Sequence, residues 1–354
     1  MSDITKIDKN FASETVVYEG MKTYSVTESP FRVYGLYQPE LGLFGRIPTD
    51  IAEKISDSIK QLHTNTAGGR IRFKTDSTRI VLRSVLPSLT KLNHMPLTGT
   101  SCFDLYVDGK YHGPFNPCVF KPSENDGTVV AEATRSFSGG KMQEILIHFP
   151  LYNDVKKLYI ALDEQAKVID TEGYIDDLPI VYYGSSITQG GCASHAGNAY
   201  QEIIARKLNI HYLNLGFSGS CQGETQMAEY IAGLKMKAFI MDYDHNAPSV
   251  EHLEATHYPF YKCIREKNPQ LPILIISAAD LCFGADREKR QAVIRSTYER
   301  AIKESDKNVY YLNGQTIYQE LGVDICTVDC VHPNDLGFWC MAKSIGEELK
   351  KILF

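Results

Sequence analysis

Catalysis by attack on an acyl carbon needs a nucleophilic side chain, a base within hydrogen-bonding reach, a group that holds the base, and donors for the oxygen that becomes negative. Four short blocks of this chain supply those residue types. Gly184-Ser185-Ser186-Ile187-Thr188-Gln189-Gly190 places two hydroxyls behind a glycine that lets the backbone turn sharply. Asn214-Leu215-Gly216-Phe217-Ser218-Gly219-Ser220 permits close backbone approach, with the Gly219 N–H available to a reacting oxygen. Met241-Asp242-Tyr243-Asp244-His245-Asn246-Ala247-Pro248 offers the side-chain N–H of Asn246. In Asp329-Cys330-Val331-His332-Pro333 the acid stands three residues before the histidine, so it can fold back onto Nδ1 and leave Nε2 free to take a serine proton. Each block alone has an ordinary alternative, since serines fill turns and an asparagine before a helix caps it. Two other histidines compete as base: His195 has no acid just before it, whereas His245 has Asp242 three positions ahead but adjoins Asn246 and lacks a following proline.

The elements that must position these blocks are legible in the hydrophobic pattern. Apolar runs at Ile180–Tyr183, Tyr212–Leu215, Ala238–Met241, Ile273–Ile276 and Val309–Leu312 each precede an amphipathic stretch. Such βα units predict an α/β domain, a flavodoxin-like parallel sheet covered on both faces, with ligands at the C-terminal ends of its strands. The first three blocks stand at such ends, and the fourth precedes a final amphipathic helix. Upstream, alternating stretches at Arg70–Lys74, Ile80–Arg83, Leu105–Val107, Glu144–Phe149 and Leu158–Leu162 read as strands. Gly68-Gly69, Asp108-Gly109 and Gly139-Gly140 supply turns between them, and Ile51 to Leu62 is the helical exception. An all-β jelly roll or sandwich is predicted there. The acidic, small-residue stretch Asp163–Asp177 marks the change of pattern, giving domains 1–175 and 176–354.

Composition narrows the function classes. A formal charge of −6 argues against nucleic acid, and no run reaches the roughly 20 apolar residues of a membrane helix. Met1-Ser2-Asp3-Ile4-Thr5-Lys6 lacks a signal-peptide pattern, so a cytoplasmic protein without membrane contact is expected. Nine scattered cysteines read as reduced thiols. Cys326, Cys330 and His332 lie close in sequence but no Cys-x-x-Cys pair accompanies them, so no metal site is expected.

Gly-x-Ser, Gly, Asn and Asp-x-x-His-Pro in this order resemble the blocks of the SGNH/GDSL hydrolase family. The resemblance implies Ser186 as nucleophile, an oxyanion hole of Ser186 N–H, Gly219 N–H and the Asn246 side chain, and His332 with Asp329 as base and orienter. Two positions depart from the family pattern: Ser185 stands where Gly-Asp-Ser has its acid, and Asp244-His245-Asn246-Ala247 replaces Gly-x-Asn-Asp. The stretches Thr66–Phe73 and Ser101–Tyr106 resemble the β-domain preceding certain bacterial members, whose hallmark is Gly-x-Asp-Leu-Tyr, with Cys102 in place of the glycine. This two-domain layout is similar to carbohydrate esterases that remove acetyl groups.

The expectation is a cofactor-free serine esterase acting on O-acetyl groups of carbohydrates, its partner a small-molecule or oligosaccharide ester. A lipase or thioesterase for longer acyl chains and an inactive carbohydrate-binding protein are the alternatives, and homo-oligomerisation is left open. Asp104, Tyr106 and His245 are the candidate substrate contacts, since a polar and an aromatic group at a domain cleft suit sugars.

Overall fold

The computed structural model of the chain describes residues 17–116, 118–123, 126–138, 140–280 and 284–354. Met1–Lys6 and Gly139, read above as an N-terminus and a turn glycine, lie outside the described residues.

The N-terminal strands are β1 (Met21–Ser25), β2 (Arg32–Tyr34), β3 (Arg70–Thr75), β4 (Arg79–Leu86), β5 (Asp104–Val107), β6 (Lys110–Pro114), β7 (Val119–Pro122), β8 (Val129–Ser136), β9 (Gln143–His148), β10 (Lys157–Asp163) and β11 (Val168–Ile169). They form two antiparallel sheets, β1-β10-β4-β8-β7 and β11-β3-β9-β5-β6, with β2 paired to β3. Alternate side chains of both sheets, among them Phe73, Leu82, Leu105, Ile147 and Ile160, meet in one core. Asp108 and Gly109 both have positive φ, 49° and 73°, and turn β5 into β6.

The C-terminal strands are β12 (Ile180–Gly184), β13 (Tyr212–Gly216), β14 (Ala238–Asp242), β15 (Ile273–Ile276) and β16 (Val309–Leu312). They pair in parallel in the order β13-β12-β14-β15-β16, the flavodoxin-like order, whose switch point lies between β13 and β14 at the end of β12. Ile180 and Tyr182 face one core with helices Tyr200–Leu208 and Asp335–Leu353, while Val181 and Tyr183 face the other with helices Thr225–Gly233, Val250–Lys267 and Arg287–Lys303. Burial on both faces is why these strands read as unbroken apolar runs. Each large apolar side chain so buried contributes about 1.5–3 kcal/mol.

The helical segment before β3 differs from the single helix expected. Ser56 interrupts it, its hydroxyl accepting from the Ile59 N–H at 3.1 Å, so Thr49–Ile55 and Asp57–Leu62 are separate helices. Ala52 and Ile59 from these helices pack into the core of the parallel sheet, so residues before the expected boundary help build the C-terminal layer. Two glycines let the loop after β12 settle onto the strand ends. A Cβ on Gly216 would stand 2.3 Å from the Gln189 nitrogen, and one on Gly184 would stand 2.6 Å from the Asp242 carbonyl oxygen. The described cysteines are free thiols, and among the described residues no helix is long and apolar enough to cross a membrane.

Candidate active site

The β12 strand ends at Gly184 and a short helix, Ser186–Gln189, begins at once. Ser185 caps it, its hydroxyl accepting from the Ile187 N–H at 3.1 Å, which gives the departure from Gly-Asp-Ser a local reason: a hydroxyl serves as the cap. Ser186 is the residue whose side chain reaches the histidine. Its Oγ lies 2.9 Å from His332 Nε2, and His332 Nδ1 lies 2.8 Å from Asp329 Oδ2. The other Asp329 oxygen accepts from the backbone N–H groups of His332 at 2.8 Å and Val331 at 3.1 Å, so one carboxylate fixes both the ring and the turn that carries it. Burial alone would raise the Asp329 pKa, but the hydrogen bonds and charge of His332 outweigh it and keep the carboxyl below its usual range.

The donors expected around a reacting oxygen gather at the same strand ends. Gly219 has φ 68°, and the space where a Cβ would stand is open. Asn246 Nδ2 donates to the Phe217 carbonyl at 3.1 Å, which aims the amide and leaves its second hydrogen for another acceptor. Phe217 N in turn donates to the Gly184 carbonyl at 3.0 Å, so the loops after β12, β13 and β14 are tied in series. Gln189 adds a cross-tie by accepting from the Ser218 N–H at 2.9 Å.

The other two candidate bases are paired elsewhere. His245 Nε2 lies 2.6 Å from Asp280 Oδ2, and its side chain is 8% exposed. Burial would lower the His245 pKa, yet Asp280, Asp244 and Asp242 push it up to about 9, so the ring is a buried cation rather than a proton acceptor. Asp242 is held too, accepting from Thr188 Oγ1 at 3.0 Å, and Asp244 accepts from Arg290 Nε at 2.9 Å. His195 does have an acid, supplied from the other domain: its Nδ1 lies 2.6 Å from Asp104 Oδ2.

That contact places Asp104 and Tyr106, expected as substrate contacts, in the seam between the two domains. Asp104 is 0% exposed, and its second oxygen lies 2.5 Å from His148 Nδ1. Tyr106 is buried, its ring 5.2 Å from that of His148 and 4.2 Å from the Arg206 guanidinium. Both residues fasten the β-domain to the parallel-sheet domain, the Asp104 carboxylate being held between two imidazoles. His245, also expected as a substrate contact, has its ring turned to Asp280.

Two residues near Ser186 had no signal in the sequence. Tyr152 donates its hydroxyl to the Ser186 carbonyl at 3.0 Å, and the His94 ring lies 5.3 Å from that of His332. Both come from the N-terminal half, at sequence separations no local pattern can bridge.

A serine, a histidine and an aspartate thus stand in hydrogen-bonded series at the switch point of a flavodoxin-ordered sheet. Residues 177–350 match a GDSL-like lipase/acylhydrolase family model, and residues 21–168 match the model of the N-terminal domain of SGNH-hydrolase-type esterases. A solved structure described as a GDSL-like lipase from Bacteroides ovatus is 30% identical, with 94% of this chain and 98% of that chain covered and a TM-score of 0.83. The chain belongs to this GDSL-like lipase/acylhydrolase family and is an SGNH-type carboxylic ester hydrolase. The fold is shared at lower identity by a salicylyl-acyltransferase from a tetracycline biosynthetic pathway, 18% identical over 95% of this chain and 98% of that one with a TM-score of 0.75. It is shared also by an acetyl xylan esterase from Butyrivibrio proteoclasticus, 12% identical over 93% and 98% with a TM-score of 0.57. No curated protein matches the chain.

Proposed function

We propose that the chain is a serine esterase that removes O-acetyl groups from carbohydrates, with Ser186 as nucleophile, His332 as base and Asp329 as orienter. The observation that carries the reading is the 2.9 Å contact of Ser186 Oγ with His332 Nε2, backed by Asp329 at 2.8 Å. His332 takes the Ser186 proton as Oγ attacks the ester carbonyl, and Asp329 stabilises the imidazolium that forms. The carbonyl oxygen, now negative, is received by the N–H groups of Ser186 and Gly219 and by the free hydrogen of Asn246. His332 then protonates the leaving sugar hydroxyl, and water activated by the same ring hydrolyses the acetyl-serine. Protein groups carry every step.

This reading assigns an acetyl ester carried on a bulky polar leaving group. The acetyl xylan esterase among the fold relatives acts on such a substrate. The test is a comparison of nitrophenyl acetate, butyrate and octanoate, followed by acetate release from acetylated oligosaccharides. Acetate is expected to be the preferred acyl group. A clear preference for octanoate would replace this reading with the lipase one that the Bacteroides ovatus relative's description suggests. In the same assay Asn246→Ala is expected to lower kcat by about 10²–10³-fold with little change in KM, because the donor acts only once charge develops.

A further inference from the structure

We propose that His94, Cys192 and His332 form a three-ligand site for a thiophilic divalent cation, Zn²⁺ above all, and that the bound ion stops ester hydrolysis by occupying His332. The inhibitory half rests on the reading of His332 as the base of Ser186.

One ligand atom from each residue lies within 4.8 Å of the others. Tetrahedral zinc, with bonds of about 2.0–2.3 Å to nitrogen and sulfur, holds its ligand atoms roughly 3.5 Å apart. The triangle therefore closes with displacements on the order of 1 Å, within reach of side-chain rotation alone. His94 is the arm that moves, because it is exposed while Met95 beside it is buried as an anchor. Cys192 is fixed: it is 4% exposed, and its backbone N–H donates to the Pro333 carbonyl at 2.9 Å, which pins it against the loop of His332.

The His332 Nδ1–H is committed to Asp329, so Nε2 is the nitrogen available to an ion, and a carboxylate behind the ring is the arrangement that supports histidine ligands of zinc. Two imidazoles and a thiolate leave a fourth position for water, and this soft set selects zinc over magnesium or calcium. On binding, the Cys192 sulfur gives its proton to solvent and takes the ion, and His332 Nε2 exchanges the Ser186 hydroxyl for the ion. Ser186 then keeps its proton, with no base to receive it. The three ligands come from both domains and from separate loops, so no Cys and His spacing in the sequence announces the site.

Full-length protein freed of metal with a chelator is titrated with Zn²⁺ by calorimetry and with Co²⁺ by absorption spectroscopy, where a thiolate-to-cobalt band reports Cys192. One ion per chain is expected, and His94→Ala and Cys192→Ser should each weaken Zn²⁺ binding by roughly 100-fold, since even outer-shell partners of a ligand are worth about 10–100-fold. Nitrophenyl acetate hydrolysis by the wild type should fall at least about tenfold at saturating Zn²⁺ and return with chelator. His94→Ala and Cys192→Ser should each resist the ion, the loss at saturating Zn²⁺ being read against the metal-free rate of the same variant. Absence of stoichiometric binding, binding that both variants retain, or a cobalt spectrum without the thiolate band overturns the site. Tight binding that leaves hydrolysis unchanged overturns the inhibition. If the metal-free wild type hydrolyses no ester, the reading of Ser186 fails and the binding experiments still decide the site by themselves.

Discussion

Ser186→Ala and His332→Ala are each expected to lower kcat/KM on nitrophenyl acetate by roughly 10⁴-fold or more, and the double variant to lose little beyond either single one. The two side chains act on one proton: Oγ is nucleophilic only as Nε2 removes it, across the 2.9 Å contact seen here. Once one partner is absent the other has nothing to do, which is why the losses do not add. Residual rate in all three variants would come from the donors around the oxyanion, which neither substitution touches. Circular dichroism should be unchanged, since Ser186 Oγ fills no core and His332 is partly exposed. A Ser186→Ala variant that turns over at the wild-type rate, or a double variant whose loss is the product of the singles, would show that the two do not work as a unit. His245→Ala serves as contrast: a buried cation paired with Asp280 should affect folding before it affects chemistry.

How much of this was legible in the sequence follows from how far apart the interacting groups stand in the chain. The parallel sheet was readable because burial on both faces writes each strand as an apolar run, and the fold then puts the residue after each strand at the site. Ser186, Gly219 and Asn246 follow that rule, whereas the Asp329–His332 pair stands well beyond β16, just before the last helix. In the β-domain, β8 carries Arg135 on the same side as the buried Ala131 and Ala133, which blurs its alternation, and β1, β2, β6, β7 and β11 are short or half exposed. The acid that holds His195 leaves no local signal, because Asp104 lies 91 positions away on the other domain. Tyr152 and His94 reach the site by the same route, through domain packing that no local motif encodes. Asp104 and Tyr106 looked like ligand contacts because polar and aromatic groups near a cleft suit sugars; in the folded chain the cleft at that point is closed.

That closed seam carries the other large effect. Asp104 accepts from His148 and His195 side chains and from the Gly197 N–H at 2.7 Å, and the far nitrogen of His148 lies 2.9 Å from a Glu202 oxygen. Glu202 also accepts from the Tyr212 hydroxyl. Burial alone would raise the Asp104 pKa, but His148 and then His195 outweigh it, so the carboxyl stays ionised far below the usual range. Burial alone would lower the His148 pKa, but Glu202 and Asp104 outweigh it and hold it at about 9. Asp104→Ala would leave the buried His148 imidazolium with Glu202 as its one remaining acidic partner, and loss of one member of a buried ion-pair network costs about 3–5 kcal/mol. For a chain of this size the melting temperature should fall by about 5–10 °C at neutral pH. The pH dependence has a definite sign. A histidine raised from 6.5 to about 9 on folding contributes stability that is complete below pH 6.5 and disappears as pH rises through about 9. The Asp104 contribution runs the other way, present above the ordinary carboxylate range and lost only in strong acid. The wild type is therefore expected to lose stability between pH 6.5 and about 9, and Asp104→Ala, already lacking the strongest hydrogen-bond partner of His148, to show a shallower slope over that window. Thermal melts of both proteins across this range measure it. Equal melting temperatures at neutral pH, together with parallel slopes, would mean that the seam is held by apolar packing and that its buried charges contribute nothing net.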